Sequence, residues 1–105
     1  METSVLSRFL ECSLRLPDNP AIFVNGRSYS YGELNRLCSS VRAILKAHQV
    51  KSGDRIGIFT EDDIFTYASV LGILSCGACY VPLNHDNPVE RNRTIIADAG
   101  INLLL

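Results

Sequence analysis

The chain has 105 residues, 47% of them hydrophobic and 20% charged, and a formal net charge of −1. That length supports one hydrophobic core and not two, and the composition is that of an ordinary globular protein. Acids and bases are interspersed, so no basic stripe exists to hold a phosphate backbone, which argues against a nucleic-acid partner.

At the N-terminus, Glu2, Arg8, Glu11 and Arg15 interrupt any apolar run, against a secretory signal peptide. Without secretion, the four cysteines read as reduced thiols and the expected location is cytoplasmic. Asn92-Arg93-Thr94 fits a glycosylation acceptor, which has meaning only in a secreted protein.

Residues 4–16 read as a first helix, with Val5, Leu6, Phe9, Leu10 and Leu14 on one stripe. Pro17 and Asp18-Asn19-Pro20 end it in a turn. Two short strands follow, Ala21–Val24 and Arg27–Ser30, joined by Asn25-Gly26, a pair that tolerates positive φ at both positions and so predicts a tight hairpin.

Ser30 predicts a helix start with Glu33 three residues on, the spacing of a reciprocal capping box. That helix runs to about Gln49. Leu34, Leu37, Cys38, Val41, Ile44, Leu45 and His48 form its apolar face, and Arg36, Arg42 and Lys46 lie outside it. His48 is read as a half-covered residue near the helix C-terminus, not a ligand. Gly53-Asp54 then turns the chain into a strand, Arg55–Thr60.

Glu61, Asp62 and Asp63 are adjacent acids that suggest either a metal or catalytic site or the first turn of the next helix, where the macrodipole favours negative charge. The helix reading is preferred, because no histidine or cysteine stands close in sequence to complete a ligand set. Helix 62–76 is apolar nearly all round. Gly77 stops it, and Cys79–Leu83 reads as a strand buried on both faces, the pattern of a parallel sheet covered by helices. No side chain from Ile64 to Leu83 is charged, which raises a membrane span, but Gly77 and Pro82 break the stretch and none is expected. Asn87-Pro88-Val89-Glu90 predicts a capped helix with proline at its first position, and Gly100 predicts a left-handed stop. Ile101–Leu105 opens a further strand. From Arg55 on, the order is therefore β-α-β-α-β, an α/β fold with a parallel sheet and flanking helices, preceded by a helix and a hairpin, and forming part of a three-layer domain.

Chemistry-bearing patterns are sparse. Cys76-Gly-Ala-Cys79 has the spacing of a redox dithiol, but it falls at a helix C-terminus, where the dipole opposes a thiolate, so a structural role is expected. Zinc would need two further ligands, and Cys12 and Cys38 stand alone on separate helices. No Walker loop, G-x-G-x-x-G or G-x-S-x-G occurs. In open α/β sheets ligands sit beyond the strand C-termini, so the Thr60–Asp63 and Asn84–Asp86 loops, the latter with His85, are the places to look for binding; solvated loops are the plainer reading. No catalytic, cofactor-binding or metal-binding residue is assigned.

Two longer phrases carry a resemblance. Ser30-Tyr31-Gly32-Glu33-Leu34 resembles the first box of the adenylate-forming superfamily, [S/T]-Y-x-E-L. Leu74-Ser-Cys-Gly-Ala-Cys-Tyr-Val-Pro-Leu-Asn84 resembles the second, L-K-A-G-x-A-Y-V-P-[L/I]-D. Pro88-Val-Glu-Arg91 and Asp98-Ala-Gly100 also look like the family pattern, and the match covers nearly the whole chain in order. Ser75 replaces lysine, Cys76 alanine and Asn84 aspartate; the Cys76 exchange keeps a small side chain, whereas the other two put local polar contacts in question. Asn87-Pro-Val-Glu-Arg91 looks more like the amino-acid-activating branch than the acyl-CoA synthetase branch.

The resemblance implies an AMP-forming ligase that activates a carboxylic or amino acid with ATP and Mg²⁺ and passes it to a carrier-protein pantetheine or CoA. It also implies that the phosphate-binding loop, the substrate pocket and the catalytic lysine lie downstream of both boxes. Residues 1–105 are thus expected to be the N-terminal portion of an adenylate-forming large domain, ending before that loop and inert alone. The alternative is a non-enzymatic interaction module derived from the same fold and pairing through its apolar edge. A flavodoxin-like small-ligand binder is disfavoured, because three parallel strands leave such a sheet half built.

Overall fold

The structure, a computed structural model, describes residues 5–105. The expected helix start at residue 4 and the Val5 side chain lie outside what it describes. Helix α1 runs Val5–Arg15. Its Phe9 is buried with Leu34, Ile64 and Ala68, and Leu6 and Leu10 pack alongside. Leu14, expected on the same stripe, is 83% exposed. It sits roughly 140° round the helix from Phe9, so burying one turns the other outward.

Strands β1 (Pro20–Val24) and β2 (Arg27–Ser30) form the antiparallel hairpin, with Val24 opposite Arg27. Asn25 and Gly26 both take positive φ, 53° and 79°, as the two-residue turn requires.

Helix α2 spans Tyr31–Ala47 behind the expected capping box: Glu33 N–H donates to Ser30 Oγ (3.1 Å) and Ser30 N–H donates to Glu33 Oε1 (3.3 Å). The Ser30 N–H holds the Glu33 carboxyl below its usual range, assisted by the Arg27 guanidinium, whose nitrogen is 2.8 Å from Glu33 Oε2. Along α2, Leu34, Cys38 and Leu45 are buried, but Ile44 is 48% exposed and does not belong to the buried face. His48 is the C-cap; its ring nitrogen lies 2.9 Å from the Ile44 carbonyl oxygen, and the side chain is exposed, not half-covered.

Helix α3 (Ile64–Ser75) packs on α2. At their nearest approach a Cβ on Gly72 would lie 2.8 Å from Val41 Cγ1, so only a residue without a side chain fits there. Below that point Leu45, Ile56, Ile73 and Ala78 close the second half of the core.

α3 starts two residues later than expected. Asp63 is its N-cap, accepting from Thr66 N–H at 2.9 Å, so Glu61 and Asp62 precede the helix and are not in its first turn. The acid in this run that meets the helix does so by satisfying an orphan backbone donor.

Strand β3 (Arg55–Phe59) is the centre of a parallel sheet of order β4-β3-β5, with β4 at Cys79–Leu83 and β5 at Leu103–Leu104. Ile56 pairs with Tyr80 on one side and Leu103 on the other. The mixed α/β fold with a parallel sheet and a preceding hairpin is as the sequence implies.

The burial of the strands is not. In β3, Ile56, Gly57 and Ile58 are all buried; in β4, Cys79, Tyr80 and Pro82 are exposed and only Leu83 is fully buried. The uncharged run does not place β4 inside the sheet, because β3 holds the central position and pairs on both sides. β5 is two residues long, shorter than the expected 101–105; Leu105 N–H nevertheless donates to the Gly57 carbonyl at 2.9 Å.

Helix α4 (Val89–Ala99) begins after Pro88 and ends at Gly100, left-handed as expected with φ 66°. Asn87 does not cap it. The Asn87 amide donates instead to Asn92 Oδ1 (3.2 Å), and Asn92 Nδ2 donates to the Asn84 carbonyl (2.9 Å). Asn92 is buried, and these two bonds satisfy its amide, while the N-cap position of α4 falls on Pro88.

Candidate functional site

The strand C-termini bring the two expected loops together. Thr60 N–H donates to the Leu83 carbonyl at 3.0 Å, which zips the end of β3 to the end of β4. Across that joint the His85 ring stacks on Phe59 with centroids 4.5 Å apart, and His85 Nε2 lies 3.5 Å from Glu61 Oε1. Both side chains are more than half exposed, and the contact becomes an ion pair only when the imidazole is protonated. Asp86 N–H donates to Asn84 Oδ1 at 2.9 Å, an acceptor an aspartate would also offer, so this contact survives the Asn84 exchange. At the other departure from the family box, Ser75 Oγ–H donates to the Gly72 carbonyl at 2.7 Å.

The acidic run is spent on structure. Asp63 caps α3, and Asp62 Oδ1 accepts from the Tyr67 hydroxyl at 2.9 Å, a bond that holds the phenol above its usual pKa. The Asp62 carbonyl accepts from Asn25 Nδ2 at 2.6 Å, a clasp between the hairpin and the β3–α3 loop. Among the described residues no three His, Cys, Asp or Glu side chains are grouped to hold a metal ion. The depression between this loop and Leu105, floored by Ile58 and Phe59, encloses about 150 Å³. Ligand clefts generally measure several hundred Å³, so this one takes a small fragment at most.

All four cysteines are free. Cys76 is the C-cap of α3 and Cys79 the first residue of β4. Burial pushes the Cys38 thiol up, with nearby Cys76 adding to the rise and Arg42 opposing it. Cys12 adjoins the Tyr31 hydroxyl and holds it above its ordinary range.

A larger concavity was not legible in the sequence. It is a groove of about 790 Å³ floored by Phe9, Cys12, Tyr31 and Leu71, with Arg8 and Arg15 on its rim. Its floor is drawn from three helices far apart in the chain. Arg15 is already paired with Glu11 at 3.0 Å. The groove carries no nucleophile–base pair and no convergent set of polar groups, so it offers surface and not chemistry.

A family model described as AMP-binding enzyme matches residues 9–105. The chain belongs to the AMP-binding enzyme family. Surfactin synthase subunit 1 of Bacillus subtilis (strain 168) is 38% identical over 104 residues, which is 99% of this chain and 3% of that protein. The N-terminal subdomain of Klebsiella oxytoca NpsA, solved in complex with 3-hydroxyanthranilyl-AMSN, superposes with a TM-score of 0.86 at 30% identity over 98% of this chain and 26% of that one. An artificially fused adenylation–PCP di-domain, NpsA-ThdA from the same organism, gives 0.87 at 30% identity over 97% and 19%. The chain thus spans a small part of each relative, and in the NpsA subdomain it matches about a quarter. No helix among its described residues is long and apolar enough to cross a membrane.

Proposed function

We propose that residues 1–105 form the N-terminal portion of an adenylation domain that activates an amino or carboxylic acid as its acyl-adenylate, using ATP and Mg²⁺, and hands the acyl group to a carrier-protein pantetheine or CoA. The observation that carries this reading is the match of 99% of the chain to surfactin synthase subunit 1 together with the superposition on the NpsA N-terminal subdomain. Within that reading the two sequence boxes are framework. The first is the Ser30–Glu33 capping box that starts α2, and the second is the α3-to-β4 turn that sets the sheet.

The residues at the strand C-termini do not fit ATP or Mg²⁺. The loop-end depression of about 150 Å³ is too small for a nucleotide, and the acids beside it are engaged by Thr66, Tyr67 and His85. We therefore assign this chain no catalytic, nucleotide-binding or metal-binding residue, place those groups beyond Leu105, and expect the chain to be inert alone. A pyrophosphate-exchange assay on the isolated chain, with ATP and a panel of amino and fatty acids, is expected to give no exchange above buffer. Turnover with any acid overturns this assignment.

One observation favours a second reading, an interaction module. Among the described residues, the outer sides of β4 and β5 are paired to no strand, and Leu104 is 46% exposed. Such edges template pairing with another chain. Size-exclusion at several concentrations separates the readings: a discrete dimer with cooperative melting supports the module, whereas a monomer or open-ended aggregation removes it.

A further inference from the structure

We propose that Asn25 is a site of spontaneous covalent modification, deamidation through a succinimide, and that the reaction releases the hairpin from the β3–α3 loop. Of the seven asparagines, only Asn25 precedes glycine; Asn19 and Asn87 precede proline, Asn35 and Asn92 arginine, Asn84 histidine and Asn102 leucine. Ring closure needs the next residue's backbone nitrogen to reach the side-chain Cγ. Proline has no N–H to give, and a side chain on the next residue crowds the approach. Gly26 presents neither obstacle. It is exposed, and a Cβ built there meets nothing within 4 Å, so no other part of the chain crowds the Gly26 nitrogen's side of the turn.

In the reaction, Gly26 N bonds to Asn25 Cγ and the Cγ–Nδ2 bond breaks. Nδ2 departs as ammonia with the Gly26 amide proton. Solvent water then opens the ring at either carbonyl, leaving aspartate or isoaspartate. The net exchange is amide plus water for carboxylate plus ammonium, with no oxidant or reductant.

What gives this consequence is the clasp. Asn25 Nδ2 donates to the Asp62 carbonyl at 2.6 Å, across 37 residues of chain. A carboxylate at position 25 cannot donate; it would set an anion against a carbonyl oxygen beside Glu61, Asp62 and Asp63. The same bond restrains the amide while it lasts, so conversion proceeds from moments when the clasp is open, and once it has occurred the clasp does not re-form.

The test is peptide mapping by mass spectrometry of the chain held in mildly alkaline buffer, with hydrogen exchange on the products and on N25D. Asn25 is expected to convert several-fold faster than Asn84 or Asn102, to a mixture of aspartate and isoaspartate. Exchange at residues 61–63 is expected to rise in the converted chain and in N25D, with the amides of α2 and α3 unchanged. Conversion at Asn25 no faster than at Asn84 and Asn102 overturns the proposal, as does loop exchange in N25D equal to that of the unmodified chain.

Discussion

Strands β3 and β4 are both five residues long and run parallel in register, from Arg55 opposite Cys79 to Phe59 opposite Leu83. The uncharged run in sequence ends in β4, while β3 opens on Arg55 and is flanked by Asp54 and, one residue on, Glu61. Yet it is β3 that is buried. Local composition sets how much apolar surface a strand offers, but position in the strand order decides how much of it is covered, because a central strand has neighbours on both sides and helices over it. Ile56 illustrates this. It is fully buried, packed with Leu45, Ile73 and Ala78 from α2, α3 and the turn before β4.

This contrast is sharpest in truncations. Leu45→Ala removes a side chain with no exposure and is expected to cost about 2–5 kcal/mol of unfolding free energy in a denaturant titration. Val81→Ala, in the half-buried part of β4, is expected to cost less than half as much. Equal losses would mean that β4 is as deeply packed as the helix interface.

Gly72→Ala comes next, expected to destabilise by roughly 1–3 kcal/mol, because its methyl would meet Val41 at 2.8 Å in a well-packed helix crossing. A paired Val41→Ala should recover part of the loss, which a double-mutant cycle reads directly. Ser30→Ala takes one arm of the capping box and is expected to cost about 1 kcal/mol.

The smallest effect concerns acid. The folded Glu33 carboxyl lies below its usual pKa, so its contribution is complete above the unfolded value and is lost as pH falls through the lowered folded one. Between those values, the Glu33→Gln variant is expected to show a flatter fall of melting temperature with falling pH than the parent. Parallel curves would mean that the capping carboxylate does not titrate with folding.

Much of the architecture was legible because it is written locally. The hairpin is fixed by Asn25-Gly26, the start of α2 by Ser30 and Glu33, the end of α4 by Gly100. Each depends on residues a few positions apart. What the sequence left hidden depends on partners far along the chain. Strand order cannot be read from a β-α-β-α-β pattern, so β4 was expected inside the sheet. Only Asp63 of the acidic run caps α3; Asp62 precedes the helix, its carboxylate accepting from the Tyr67 hydroxyl and its carbonyl from the hairpin's Asn25. Asn87 does not cap α4, since the cap position falls one residue later, on Pro88, which has no side-chain acceptor. The groove under α1 was invisible because its floor comes from positions 9, 12, 31 and 71. The candidate site divides along this line: that the two loops meet follows from neighbouring parallel strands, whereas the stacking of His85 on Phe59 does not.

Pro82 has a bearing on which side of the sheet can grow. Cys79 N–H donates inward to the Asp54 carbonyl, and donors alternate along a strand, so those of Val81 and Leu83 also point at β3 while position 82 faces the open flank. There the pyrrolidine ring supplies no hydrogen. Any newcomer laid along that flank finds one rung of the ladder missing, a safeguard against indiscriminate lengthening of the sheet. The opposite flank, along Leu103 and Leu104, carries no proline.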